Sequence, residues 1–190
     1  MVINSPLHFR IDTCDPRREL WAAICQFVKN KKPEWLTCYE QVAKWLSDND
    51  SRGLICAGTC GLGKSVICVQ ALPFLFQRHF DIDAMAVTAT EMNQRIDELL
   101  QYCGRNRVIV IDDLGTEAIS VYGRHTFPEL VDQAERTGTL LIITTNLRTT
   151  KDKDLRRNYP SIEARYGVPT LDRLRAITRV AVFEGKSLRM

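Results

Sequence analysis

One glycine-rich segment carries the most specific chemical pattern in the sequence. It reads Gly58-Thr59-Cys60-Gly61-Leu62-Gly63-Lys64-Ser65. This matches GxxxxGK[ST] at every fixed position, and we assign all eight residues to the binding of ATP. The glycines let the backbone curl so that several N–H groups point at one anion. Lys64 adds a positive charge on the outer phosphates, and the Ser65 hydroxyl is a ligand for Mg²⁺.

Two carboxylates, Asp112 and Asp113, end an apolar run that follows this segment along the chain. A carboxylate at the end of a buried strand is costly unless a cation or a donor meets it. Beside a phosphate loop that cation is Mg²⁺, so we assign Asp112 to the metal, through water. We assign Asp113 to positioning the attacking water. The alternative is an Asp-Asp-Leu-Gly turn that only closes a core strand.

A second apolar run becomes polar at Thr144, Thr145 and Asn146. If this strand lies between the phosphate-loop strand and the Asp112 strand, Asn146 faces the γ-phosphate and its amide can orient the attacking water. Simple nucleotide kinases place those two strands side by side with no insertion, so the position of this strand separates two classes of enzyme. The alternative for Asn146 is an Asx turn.

Alternating apolar and helical patterns supply the elements that must position these residues. Short apolar runs predict five strands, at 54–57, 84–88, 108–111, 140–144 and 179–183. Helical patterns fill the intervals at about 64–78, 90–103, 124–137 and 160–176, with a kink or break at Pro73. This alternation is typical of an α/β domain with a parallel sheet.

Two further helices are predicted before the first strand. Asp15 and Pro16 are typical of a helix start, because an N-cap residue is followed by proline in the first turn. Thr37 and Glu40 have capping-box spacing for a helix that runs to about Leu46. We therefore predict a short N-terminal helical segment, residues 1–36, and an ATPase core, residues 37–190.

The composition limits the possible function classes. The 190 residues fit one domain, and a net charge of +3 does not make the whole chain a polycation for nucleic acid. Residues 148–190, however, hold eleven Lys/Arg against five Asp/Glu. This excess is either a solvated basic face or a face that meets DNA or phosphate.

The seven cysteines include no CxxC pair, which disfavours a zinc site. No signal peptide is recognisable, and no apolar run approaches the length of a membrane span. We expect a cytoplasmic protein with reduced thiols and no membrane contact.

Three motifs in order make the chain similar to the helicase-loader branch of AAA+ ATPases. They are the phosphate loop, Ile-Asp-Asp-Leu-Gly-x-Glu at 111–117 and Thr-Thr-Asn-Leu at 144–147. DnaC-type loaders and IstB-type transposition ATPases belong to that branch, and the resemblance spans about residues 37–190. It implies a P-loop NTPase fold of the AAA+ type. In that fold a five-stranded parallel sheet of order 5-1-4-3-2 is flanked by helices.

The resemblance also implies roles for two arginines. Arg173, in an Asp-Arg-Leu motif, resembles the arginine finger that reaches the ATP of a neighbouring subunit. Arg189 resembles the sensor-2 arginine, which contacts the γ-phosphate in its own subunit. The alternatives are a surface ion pair of Arg173 with Asp172 or Glu163, and a frayed tail at Arg189.

Ser120 and Tyr122 have the spacing of a Ser-x-Tyr pair that touches single-stranded DNA in loaders. The alternative is an exposed loop without a DNA role. Asp113 stands where AAA+ ATPases usually have glutamate, so the resemblance implies slow hydrolysis.

The leading functional hypothesis is an ATP-binding and ATP-hydrolysing assembly factor resembling a DNA replication helicase loader. It would bind ATP, ADP and Mg²⁺, form an ATP-dependent homo-oligomer, and hold single-stranded DNA or a replicative helicase. The alternatives are an IstB-type ATPase that regulates a transposase on duplex DNA, a non-hydrolysing ATP switch, and a small-molecule kinase.

Overall fold

Strands and helices alternate along most of the chain. The computed structural model describes residues 7–11, 15–28, 33–119, 123–149 and 160–188. Within these residues the elements are, in chain order, α1 (Pro16–Phe27), α2 (Tyr39–Ser47), β1 (Gly53–Gly58), a π-helical segment (Val66–Ala71), α3 (Leu72–Phe80), β2 (Ala84–Thr88), α4 (Ala89–Gln94), α5 (Ile96–Tyr102), β3 (Val108–Leu114), α6 (Thr126–Thr137), β4 (Leu140–Thr145), α7 (Ile162–Tyr166), α8 (Val168–Ile177) and β5 (Thr178–Phe183).

The five strands form one parallel sheet in the order β2-β3-β4-β1-β5. This is the predicted order 5-1-4-3-2 viewed from the opposite edge, so the predicted sheet is confirmed. All five predicted strands are present. Strands β1 and β4 are buried at every position, and a strand buried on both faces has a nearly continuous apolar sequence that is easy to recognise. The carboxyl ends of β1, β3 and β4 consequently lie together at one edge of the sheet.

The β3–β4 ladder is interrupted at this edge. Ile111 pairs with Ile143, and Leu114 pairs with Thr145, so β3 has one residue more than β4 between these two pairs. Such a β-bulge breaks the regular backbone pairing and bends the strand that carries the extra residue. The two acidic residues predicted to serve the nucleotide lie in this interruption.

The helix predicted at 64–78, with a kink or break at Pro73, changes its winding just before Pro73 and does not break there. The π-helical segment is followed by α3, and Pro73 lies in the first turn of α3. The Leu72 N–H donates to the Ile67 carbonyl, five residues earlier, as in a π-helix. Proline has no N–H, so it cannot continue a regular α-helical pattern across this point.

Two predicted helices are each two helices, and those single-helix predictions are wrong. The helix at 90–103 breaks at Arg95, between α4 and α5, and a capping box of Thr88 and Glu91 starts α4. The helix at 160–176 breaks at Gly167, whose φ is +87°, and Pro169 occupies the first turn of α8. Apolar spacing continues across both breaks, which is why periodicity did not reveal them.

The start of α1 is as predicted, and the start of α2 is not. The Asp15 carboxylate accepts the Arg17 N–H at 3.0 Å, with Pro16 as the first helical residue. For α2 the N-cap is Cys38, which makes no side-chain capping bond. The Glu40 N–H bonds instead to the Thr37 carbonyl at 3.2 Å, so a backbone turn replaces the predicted capping box.

The sheet has a hydrophobic cluster on each face. One cluster joins residues 7–11, α1, α2, the π-helical segment and α3, and the other joins α4 to α8. In the first cluster Phe9 meets Trp45 edge-on, with ring centroids 5.0 Å apart. The domain boundary at residue 36 stays a prediction. Among the described residues, no helix is both long and apolar enough to span a membrane.

Asn49 fastens the N-terminal extended segment to the turn before β1. Its side chain is fully buried. It accepts the Phe9 N–H at 3.0 Å and donates to the carbonyls of Leu7 at 2.8 Å and Arg52 at 3.4 Å. One amide thus replaces the backbone pairing that a strand would give this segment.

We expect Asn49→Ala to lower the free energy of unfolding by about 2–4 kcal/mol, because it leaves several buried backbone groups without partners. Urea denaturation measures this change. Gln101→Ala, at an exposed position of α5, is the control and should change stability by less than about 0.5 kcal/mol. Equal effects of the two substitutions would contradict the role given to Asn49.

Candidate nucleotide-binding site

The predicted phosphate loop connects β1 to the π-helical segment, and its glycines are required by close backbone approach. A Cβ atom on Gly58 would lie 2.0 Å from the Phe183 carbonyl oxygen, where φ is +147°. A Cβ on Gly63 would lie 2.8 Å from the Tyr39 hydroxyl, where φ is +81°. Side chains at these positions would collide with Phe183 and Tyr39, so both glycines are needed for the curved loop to pack against its neighbours.

Three distant segments hold the loop from outside. The Thr59 N–H donates to the Phe183 carbonyl at 2.8 Å, and the Leu188 N–H donates to the Gly61 carbonyl at 2.9 Å. The Tyr39 hydroxyl donates to the Leu62 carbonyl at 3.2 Å. Burial raises the pKa of Tyr39 to about 12, so the phenol keeps its donor proton at neutral pH. The curved loop is therefore fixed by α2, β5 and residues after β5.

The Lys64 ammonium group lies inside the loop and is buried. It donates to the carbonyls of Gly58 at 2.9 Å and Thr59 at 2.8 Å, and to Asn146 Oδ1 at 3.0 Å. Lys64 and Asn146, predicted independently from separate motifs, are therefore in direct contact. The positive charge of Lys64 adds to that of the backbone N–H groups of the loop, so the loop favours an anionic ligand.

The two predicted metal ligands also meet. Ser65 Oγ donates to Asp112 Oδ1 at 2.9 Å, and the same carboxylate oxygen accepts Thr144 Oγ1 at 2.5 Å. Oxygen ligands of this kind suit Mg²⁺, which usually binds one or two protein groups and completes its coordination with phosphate and water. Within the described ranges, no group of three or more His, Cys, Asp or Glu could hold a metal ion.

Asp113 lies beside this pair in an uncommon backbone conformation. Its φ is +54°, and its N–H donates to Thr144 Oγ1 at 2.8 Å. Its carbonyl accepts both the N–H and the hydroxyl of Thr116, which closes the turn after β3. The residue is exposed and lines the cavity next to the loop, so its carboxylate can contact water there.

A cavity of about 470 Å³ extends from the phosphate loop. Asp113 and Asn146 contribute to its wall, and Ile24, Val28 and Tyr39 contribute apolar surface. This size is in the usual range for a small-molecule site. These last three residues could not be predicted as site residues from the sequence, because their helical spacing is equally typical of core packing.

Glu117 is a buried carboxylate whose contacts point away from the loop. It accepts the Gly115 N–H at 2.8 Å and the Tyr166 hydroxyl, and Arg165 Nε lies 3.5 Å away. Burial, together with the Glu117 carboxylate, raises the pKa of Tyr166. Glu117 therefore connects the end of β3 to α7 and does not replace the shorter Asp113.

Arg173 is not part of the cavity wall of its own chain. It lies on α8 and pairs with two carboxylates of α6, Asp132 at 3.3 Å and Glu135 at 3.2 Å. The alternative suggested by the sequence paired it with Asp172 or Glu163, and Asp172 contacts Arg175 at 3.8 Å. The roles assigned to the site residues stay predictions.

Three residues assigned from the sequence, Ser120, Tyr122 and Arg189, lie outside the described residues.

Solved structures with this fold include helicase loaders. The DnaC helicase loader superposes with a TM-score of 0.62 at 17% identity, covering 88% of this chain and 99% of that one. This chain has a P-loop NTPase fold. DnaI matches with a TM-score of 0.53 at 17% identity, covering 94% and 87%. A putative primosome component from Streptococcus pyogenes serotype M3 matches at 0.53 and 16% identity, covering 93% and 84%.

No protein-family model matches the sequence, and no curated protein shows significant sequence similarity to it. The P-loop NTPase fold is therefore established by three-dimensional likeness.

We expect Glu117→Gln to destabilise the protein by about 1–3 kcal/mol without weakening ATP binding, because the carboxylate satisfies buried donors and lies outside the cavity. Urea denaturation and calorimetric titration with Mg-ATP measure the two effects. Tyr166→Phe, which removes one donor to this carboxylate, should show the same pattern. A loss of ATP affinity with unchanged stability would contradict this structural role.

Proposed function

We propose that this protein binds Mg-ATP, hydrolyses it slowly, and acts as an AAA+ assembly factor of the helicase-loader type. One observation carries the proposal. The Lys64–Asn146 contact at 3.0 Å and the Ser65–Asp112 contact at 2.9 Å lie together at the carboxyl ends of β1, β3 and β4. A cation, a metal-ligand pair and a polar amide thus surround one loop shaped for phosphate.

Each residue has a distinct task in this proposal. Lys64 balances negative charge on the outer phosphates, and the backbone N–H groups of the loop bind their oxygens. Asn146 exchanges its contact with Lys64 for a water molecule that its amide orients. Asp113, exposed at the cavity, holds the same water from the other side. Mg²⁺ bound through Ser65 and Asp112 would supply charge neutralisation and orientation of the phosphates.

Aspartate in place of glutamate favours slow turnover. The Asp113 side chain is one methylene shorter than the usual glutamate, so its carboxylate reaches less far into the cavity. A non-hydrolysing ATP switch is the second candidate that this residue supports. Steady-state phosphate release separates the two, since a switch binds Mg-ATP and releases no phosphate.

Subunit assembly is proposed from the position of Arg173. Its side chain is 42% exposed and is braced by Asp132 and Glu135 on α6, outside the cavity of its own chain. A braced, partly exposed guanidinium can be presented to a second subunit, where a planar cation stabilises charge on a transferred phosphoryl group. ATP would then bridge two copies of this chain.

The proposed client is a replicative helicase, with single-stranded DNA as a further partner. The support is the likeness to the DnaC helicase loader, together with the basic residues of 148–190 and the Ser120–Tyr122 pair. A transposase client would be indicated by preference for duplex DNA in a binding titration. A small-molecule kinase is disfavoured, because β4 separates the phosphate-loop strand from the acidic strand.

We expect Lys64→Ala to weaken Mg-ATP binding by roughly 10- to 100-fold, the usual loss for a hydrogen bond to a charged group. Isothermal calorimetry measures the affinity. Lys44→Ala, at an exposed position of α2, is the matched control and should bind like the wild type. Absence of heat with the wild-type protein would refute the proposed function.

We expect Arg173→Ala to bind ATP normally as a monomer and to lose ATP-dependent assembly and phosphate release. Native mass spectrometry with and without ATP, single-stranded DNA and helicase measures assembly. Arg175→Ala, on the same helix and also exposed, should assemble like the wild type. A wild-type protein that stays monomeric under all these conditions would contradict the assembly proposal.

A further inference from the structure

Thr144 contacts both acidic residues at the end of β3. It lies on β4 and is fully buried. Its hydroxyl donates to Asp112 Oδ1 at 2.5 Å and accepts the Asp113 N–H at 2.8 Å. A hydroxyl has one donor and two acceptor positions, so a single side chain can make both bonds. No sequence motif predicts a separate role for this threonine.

The bulge in β3 explains why a side chain is needed here. The backbone ladder to β4 stops after Ile111 and resumes at Leu114, so the two residues between lack regular pairing with β4. The Asp113 N–H would otherwise lose its acceptor, and Thr144 Oγ1 provides one. The hydroxyl also helps to hold Asp113 at a φ of +54°, which is unfavourable for a residue other than glycine.

The bond from Thr144 Oγ1 to Asp112 Oδ1 restrains the carboxylate of Asp112. Two hydroxyls donate to the same carboxylate oxygen, that of Ser65 at the end of the phosphate loop and that of Thr144 on β4. This leaves the carboxylate little freedom to rotate. In metal sites, loss of a partner that orients a ligand typically costs about 10- to 100-fold in metal affinity or activity.

We infer that Thr144 is the positioning residue that sets Asp112 for Mg²⁺ and Asp113 for the attacking water at the same time. This inference rests on the proposed function. It adds a residue that connects Asp112, the proposed Mg²⁺ ligand, to Asp113, the residue proposed to position water. Loss of the hydroxyl frees the Asp112 carboxylate and the Asp113 backbone together, although Thr144 itself does not line the cavity.

The adjacent Thr145 provides a matched comparison. It is also fully buried on β4. Its hydroxyl donates to the Leu114 carbonyl at 2.6 Å and accepts the Leu147 N–H at 3.0 Å. Both partners are backbone groups, so this threonine supports the chain and contacts neither carboxylate through its hydroxyl.

Three variants test the inference: Thr144→Val, Thr144→Ser and Thr145→Val. Valine removes the hydroxyl at nearly constant volume, and serine keeps it. We expect Thr144→Val to lower the rate of phosphate release by about 10- to 100-fold and to raise the half-saturating Mg²⁺ concentration about tenfold. Thr144→Ser should stay within a few-fold of the wild type. Thr145→Val should lose stability in urea but keep the wild-type rate and Mg²⁺ dependence.

A measurement without nucleotide separates this inference from the proposed function. We expect the Asp113 amide proton, followed by NMR, to exchange faster with solvent in Thr144→Val than in the wild type, Thr144→Ser or Thr145→Val. Equal exchange in all four proteins would overturn the inference about Thr144. Unchanged hydrolysis and Mg²⁺ dependence in Thr144→Val would do so as well. Absence of Mg-ATP binding by the wild type would overturn the proposed function instead.

Discussion

Lys64 is a buried cation held where the carboxyl ends of the central strands meet, and much of the surrounding structure serves to keep it there. Its ammonium group bonds to two carbonyls of its own loop and to Asn146 from the neighbouring strand. These bonds require the loop to fold back on itself, which in turn requires glycine at Gly58 and Gly63. The bond to Asn146 also requires β4 to lie next to β1, so the position of the Lys64 charge depends on the strand order of the sheet.

The sheet could be predicted almost completely from the sequence, and the helices only in part. Parallel strands buried on both faces must be apolar throughout, so their sequences stand out from their surroundings. Helix breaks at Arg95 and Gly167 leave the apolar spacing on either side intact, so periodicity alone does not reveal them. Gly167, with Pro169 two positions later, was a usable sequence signal for the break at Gly167. The break at Arg95 has no comparable signal in the sequence.

Some residues of the candidate site could likewise be predicted from the sequence, and others could not. Lys64 and Asp112 were predictable because phosphate and metal chemistry require particular side chains at particular spacings in local motifs. Tyr39 supports the loop from 23 positions away, and Glu117 meets Tyr166 across 49 positions. Such contacts depend on how distant elements pack, which local patterns do not encode. Thr144 lay inside a recognised motif, but its bond to the Asp113 N–H depends on the bulge in the adjacent strand, which the sequence does not reveal.

The π-helical segment after the phosphate loop has a consequence for how the domain can vary. Each residue that a π-turn adds rotates the following helix by about 100° relative to an uninterrupted α-helix. This rotation sets the direction in which Leu75 and Phe76 enter the core, independently of where the loop ends. A one-residue deletion between Val66 and Ala71 would restore regular winding and keep those side chains in phase with Trp45, because the π-turn is what absorbs the extra residue. A deletion within α3 has no extra residue to remove and would rotate one part of the helix by about 100° against the other. The π-helical segment is therefore the place where this helix can lose a residue without disturbing the core.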